Sequence, residues 1–136
     1  MMLNKHGVDL DTILHYLGSR GGRYSKRDRC LYSLRQIFRL RDITDLKIGD
    51  VLNELGHIAD SFISDDGGEY QIPISCRAEI RQYIESEFGI TSRSSGKESR
   101  KSFYLFSTYR SPKFSLNAMC QHFSAMDREI RGHFGE

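Results

Sequence analysis

Arg39-Leu40-Arg41-Asp42-Ile43-Thr44-Asp45-Leu46-Lys47-Ile48-Gly49-Asp50-Val51 is the stretch that decides how the chain is read. Two arginines, an acid one turn on, and apolar residues at Ile43, Leu46, Ile48 and Val51 occupy thirteen positions. The pattern predicts a helix end passing into a strand, with the break at Gly49-Asp50.

Upstream, Val8 to Leu17 carries apolar residues at helical spacing behind Asp9 and Asp11, either of which can cap it. Gly18 is expected to end that helix, and Ser19 to Ser25 to form a loop. A second helix opens at Ser25 or Asp28 and runs to about Arg39. Leu31, Leu34, Ile37 and Phe38 form its stripe, and Arg27, Arg35 and Gln36 face out. Downstream, Ile58–Ser64 and Glu69–Ile74 alternate around Asp65-Asp66-Gly67-Gly68, a hairpin signal. Ser75 to Phe88 reads as a helix capped by Ser75 and stopped by Gly89. Thr91 to Ser102 is a polar loop, and Phe103 to Phe106 a short buried strand or extended segment. Ser115 caps a last helix, Leu116 to about Arg131, with Leu116, Met119, Phe123, Met126 and Ile130 inward and Gly132 at its end. The fold class expected is α+β, a mainly helical single domain with a small antiparallel sheet. Residues 1–23 form an N-terminal helix and basic loop ahead of a unit at 24–136.

The chain has 136 residues, enough for one core. No apolar run approaches the roughly 20 residues that span a bilayer, and the start lacks the apolar centre of a signal peptide, so a cytoplasmic protein is expected. Cys30, Cys76 and Cys120 are far apart and read as buried or half-buried free thiols; with no Cys/His cluster, neither a metal nor another cofactor is expected. Net charge is only +2, so local runs matter more than the whole-molecule field. Arg20, Arg23, Lys26, Arg27 and Arg29 face one acid, Asp28. Arg93, Lys97, Arg100 and Lys101 face Glu98. Each run reads either as a solvated loop or as a phosphate-contacting patch.

Four boxes resemble the tyrosine recombinase (phage integrase) catalytic domain, in its order. They are Arg27-Asp28-Arg29 with Leu31 and Leu34; Arg39-Leu40-Arg41-Asp42-Ile43 with Leu46 and Asp50-Val51; Tyr70-Gln71-Ile72-Pro73-Ile74; and Tyr104-Leu105-Phe106 followed by Phe114-Ser115-Leu116. The likeness runs from about Tyr24 onward and implies the N-terminal part of that fold. It makes Arg39 the arginine that clamps the scissile phosphate, with Arg41 as the alternative match; both also read as surface residues at a helix end. The family's hairpin lysine falls on Asp65, and a carboxylate there repels a phosphate and cannot replace an ammonium acid at neutral pH. His122 is followed three residues on by Ala125, so the family's His-x-x-Arg box is absent, and so is a tyrosine nucleophile behind it.

The resemblance therefore implies a catalytically inactive integrase-like protein of a mobile genetic element. It would bind the DNA phosphate backbone and modulate recombination or transcription. The expected contacts are Arg20, Arg23, Lys26, Arg27, Arg39, Arg41, Arg93, Lys97, Arg100 and Lys101. The alternative is a protein-interaction module that pairs with itself or with a full-length recombinase, with no membrane partner in either case.

Overall fold

The computed structural model describes residues 7–64, 66–91 and 99–135. In chain order the described elements are α1 (Leu10–Ser19), α2 (Ser25–Arg35), α3 (Leu40–Asp45), α4 (Ile48–Val51), β1 (Ser61–Ile63), β2 (Glu69–Gln71), α5 (Ile74–Phe88) and α6 (Leu116–His133). This is a small α+β domain of helices around one two-stranded antiparallel sheet.

The core is built where the apolar periodicity placed it. Ile13 and Leu17 of α1, Leu31 and Leu34 of α2, and Ile80 and Ile84 of α5 are almost fully buried. Each such side chain contributes about 1.5–3 kcal/mol relative to exposure. These residues belong to one cluster, so the N-terminal helix shares its core with the rest of the chain. Met119, Phe123, Met126 and Ile130 of α6 extend that cluster. Two expected core residues do not join them: Leu116, 44% exposed at the helix start, and Ile37, 49% exposed beyond the end of α2.

Helix ends differ from expectation for identifiable reasons. Asp9 caps α1 by accepting the Asp11 N–H, but Gly18 lies inside the helix, against the Arg29 side chain. The turn is made instead by Gly21 and Gly22, both at positive φ. α2 stops at Arg35 rather than Arg39. The Ile37 and Phe38 N–H groups fold back on the Leu34 carbonyl at 3.1 and 2.9 Å, and Phe38 turns in against Phe62, ring centroids 5.2 Å apart. Ser75 does not cap α5: the helix starts at Ile74 behind Pro73, without a side-chain cap. Gly89 ends it in the left-handed conformation, as its position predicts. Ser115 caps α6, accepting the Ala118 N–H at 3.0 Å, and Gly132 lies within that helix.

The hairpin forms with Phe62 opposite Tyr70, both turned toward Phe38. The opening stretch does not pass from helix to strand. It makes two short helices, α3 and α4, with Gly49-Asp50 inside the second, because Asp50 accepts the Lys47 N–H at 2.9 Å and tightens the turn. The segment after α5 then returns to this junction. Ile48 N–H donates to the Phe103 carbonyl at 2.9 Å, Gly49 N–H to Lys101 at 2.8 Å, and Leu105 N–H to Leu46 at 2.8 Å. Phe103 to Phe106 is thus a single bridge, Tyr104 to Lys47, rather than a buried strand. Leu105 and Phe106 are buried, and Phe103 is exposed.

Candidate functional site

Arg39 stands at the start of α3 with extended backbone, which turns its side chain toward the hairpin. Its Nε donates to Asp42 Oδ2 at 3.0 Å and its Nη2 to Asp42 Oδ1 at 3.4 Å; Asp66 Oδ2 lies 3.6 Å from Nη2. Asp42 sets its own partner at a spacing of one helical turn. Asp66 is held in the turn by the Ser64 hydroxyl and the Gly68 N–H. These two bonds keep the Asp66 carboxyl below the usual range, and the Asp42 hydrogen bond raises the already high Arg39 value. Asp65 lies outside the described residues.

Between α3 and the hairpin is an open cleft of about 330 Å3, walled by Arg39, Arg41, Asp42, Asp45, Phe62 and Asp66. Asp50 also lines it, so two guanidinium groups meet four carboxylates. Lys113 offsets one of these, its Nζ 2.9 Å from Asp45. A phosphodiester entering here meets repulsion on balance, and Arg39 is already occupied by carboxylates. Arg41 differs: it is exposed and forms no ion pair among the described residues.

The basic run from Arg20 is spent in a second way. Asp28, its side chain 8% exposed, accepts from Arg20 Nη2 at 2.7 Å, Arg27 Nε at 3.1 Å and His122 Nε2 at 2.8 Å. Burial works to raise the Asp28 carboxyl, and the His122, Arg27 and Arg20 partners outweigh it, leaving it low. Arg20 also donates to Glu129 at 2.7 Å, which Tyr16 OH reaches at 2.7 Å. Arg23 forks onto Glu87 at 2.7 and 3.4 Å.

Arg27 is a correction. It does not face out and cannot reach a phosphate. Its side chain is 8% exposed, lies 3.9 Å over the Tyr24 ring, and donates to the Ser107 carbonyl. The buried Asp28 draws the guanidinium inward, because an uncompensated buried carboxylate is costly.

Of the remaining expected contacts, Lys26 is exposed and without an ion pair among the described residues. Arg100 donates to the Phe88 carbonyl at 2.8 Å and lies over the Phe88 ring. Lys101 packs against Gly49. Arg93 and Lys97 lie outside the described residues. The Arg20–Arg27 group and the Arg39–Arg41 group are also separated: they sit at opposite ends of α2, whose 11 residues span roughly 15 Å. They do not merge into one patch.

Sequence reasoning missed His122 and Glu129 as partners. The signal available was their seven-residue spacing, which puts both on one face of α6, opposite an acid already flanked by arginines. Cys30 and Cys76 are buried, and burial raises the Cys30 thiol well above its ordinary value. Cys120 is exposed, against expectation, because it falls on the outer face of α6. Among the described residues no group of three or more His, Cys, Asp or Glu is placed to hold a metal ion, and no helix is long and apolar enough to cross a membrane.

No protein-family model, curated protein or solved structure matches the chain. The likeness to tyrosine recombinases therefore rests on the four residue boxes alone.

Proposed function

We propose that the chain is a non-catalytic, integrase-like DNA-binding module that touches the phosphate backbone and modulates recombination or transcription. The observation that carries this reading is the contrast of the two arginines in the box. Arg39 is closed by Asp42 and Asp66, which leaves no free clamp for a scissile phosphate. Arg41, two residues on, is exposed and forms no ion pair among the described residues, so it can meet a phosphate from outside the acidic cleft. Of the expected contacts that are described, Arg27 is buried, Arg20, Arg23 and Arg39 are paired and Arg100 bonds the Phe88 carbonyl, which leaves Lys26, Arg41 and Lys101. About three phosphate contacts predict weak, non-specific binding with a log–log salt slope near −3.

Anisotropy of a labelled duplex across a salt series tests this. Arg41→Ala is expected to make the slope shallower by about one. No binding at low salt removes the reading, and covalent attachment to a nicked suicide duplex removes its non-catalytic half.

A second reading is a protein-interaction module. It is favoured by an open groove of about 500 Å3 between the C-terminal end of α2, the start of α3 and the outer face of α6. Leu116 and Ile37, 44% and 49% exposed, lie at the start of α6 and just beyond α2. A monomer by sedimentation that binds no recombinase in a defined two-component assay removes it.

A further inference from the structure

From Arg100 to Met126 the chain contains no Asp or Glu, and within that stretch Lys101, Arg110 and Lys113 are interleaved with Phe103, Tyr104 and Tyr109. The backbone seam adds Lys47, bridged to Tyr104. The Lys47 and Lys113 ammonium groups lie 5.4 and 4.9 Å from the centre of the Tyr104 ring. Cation–π attraction thus gathers two like charges beside one ring.

Acids reach this surface at two points. Asp45 holds the Lys113 ammonium at 2.9 Å, and Asp50 accepts the Lys47 backbone N–H at 2.9 Å. The Lys47, Lys101 and Arg110 side chains form no ion pair among the described residues.

The rings divide in the same way. Tyr104 is engaged by its lysines. Phe103 and Tyr109 are 53% and 85% exposed and pack against no other ring among the described residues. Their backbones are nonetheless held. The Phe103 carbonyl accepts the Ile48 N–H at 2.9 Å, and Tyr109 sits in a turn closed by the Thr108 N–H on the Ser111 carbonyl at 2.9 Å. Chain length keeps the two within about 20 Å of each other.

A duplex hides its base faces in the stack and presents only phosphates and base edges, so exposed rings gain little from it. A single strand offers phosphates and open base faces together. Two rings set among cations also fall short of the broad apolar face by which a protein lies in a lipid surface. We propose that this basic–aromatic surface binds single-stranded nucleic acid, with Phe103 and Tyr109 stacking on bases and Lys47, Lys101 and Arg110 meeting phosphates. The proposal goes beyond the duplex reading above and shares only Lys101 with it.

Anisotropy of a labelled oligothymidylate with the full chain, against a duplex of equal length, tests it. Tighter binding of the oligothymidylate at low salt is expected. Phe103→Ala and Tyr109→Ala are each expected to weaken it at least about fivefold and to leave duplex binding unchanged. Lys47→Ala is expected to make its log–log salt slope shallower by about 0.7. The chain has no tryptophan, so Tyr109→Trp carries a lone indole whose emission a stacked base quenches. Circular dichroism checks the fold of each variant; if Phe103→Ala unfolds, the two Tyr109 variants carry the test.

No oligothymidylate binding at low salt overturns the inference, whether or not the duplex is bound. So does binding indifferent to the ring substitutions, and duplex binding that persists then keeps the reading above. Capture by phosphatidylserine vesicles without oligothymidylate binding assigns the surface to lipid and likewise overturns the inference.

Discussion

The two ends of α2 handle arginine in opposite ways. At the N-terminal end, Arg27 and Asp28 are both 8% exposed, and Arg20 and His122 complete the set from α1's exit and from α6. At the C-terminal end, Arg39 is 65% exposed and its second partner, Asp66, 56%. Both ends cancel charge with charge, but the N-terminal pair is buried on both sides. At the C-terminal end only Asp42, 8% exposed, is buried, and its Arg39 partner is solvated. Removing one partner of a buried pair strands the other in a medium that solvates it poorly, whereas an exposed pair is replaced by water. The difference teaches that the Arg27-Asp28-Arg29 box is architectural in this chain. Any phosphate contact falls to Lys26, beside the box, and to the cations beyond α2.

The largest test of that contrast is Asp28→Ala. It leaves Arg27 buried without its carboxylate and is expected to lower unfolding stability by about 3–5 kcal/mol, read from urea midpoints. A loss under about 1 kcal/mol would erase the distinction between the two ends. Next comes Glu79→Ala. Glu79 takes the Arg29 fork at 2.7 and 3.1 Å with intermediate shielding, 10% and 29% exposed for the two side chains. A loss of about 2 kcal/mol is expected.

Acid provides a third test. Because the Asp28 carboxyl is held low in the fold, its contribution is fully present above the unfolded value of about 3.9. It is lost as pH falls through the folded value. Stability measured from pH 6 downward should therefore fall below about pH 4, and Asp28→Asn should flatten that part of the profile. The smallest effect belongs to Arg39→Ala. Arg39 is solvated but its partner Asp42 is only 8% exposed, and loss of that partner is expected to cost about 1 kcal/mol. A loss as large as that of Asp28→Ala would make the two ends equivalent.

Much of the fold was legible because apolar spacing is a local property. The stripes of α1, α5 and α6, the Ser115 cap and the Gly89 stop follow from residues a few positions apart. The hairpin likewise followed from its alternating runs and glycine turn. The errors came where a distant residue decides. Arg27 reads as outward on any helical wheel, and only His122, Ser107 and Phe114, some eighty or more positions on, turn it in. Gly49 reads as a breaker, and it is the approach of Lys101 that defines its place. The candidate cleft was half legible: the box pointed to Arg39 and the hairpin turn, and Asp66 was visible as an acid. That Arg39 itself would be the cation it closes on depends on how α3 meets the hairpin.

The return of the chain at Lys101–Leu105 onto Leu46–Gly49 has a kinetic consequence. A methyl group on Gly49 would sit 3.0 Å from the Lys101 carbonyl oxygen, so a side chain there would press the two backbones of this seam apart. Its partners are more than fifty positions apart, and closing a loop of that length costs entropy before any bond rewards it. The seam is therefore a late event in folding. In pulsed hydrogen exchange during refolding, the Gly49 and Leu105 amides should gain protection after those of α2 and α5, and Gly49→Ala should delay them further.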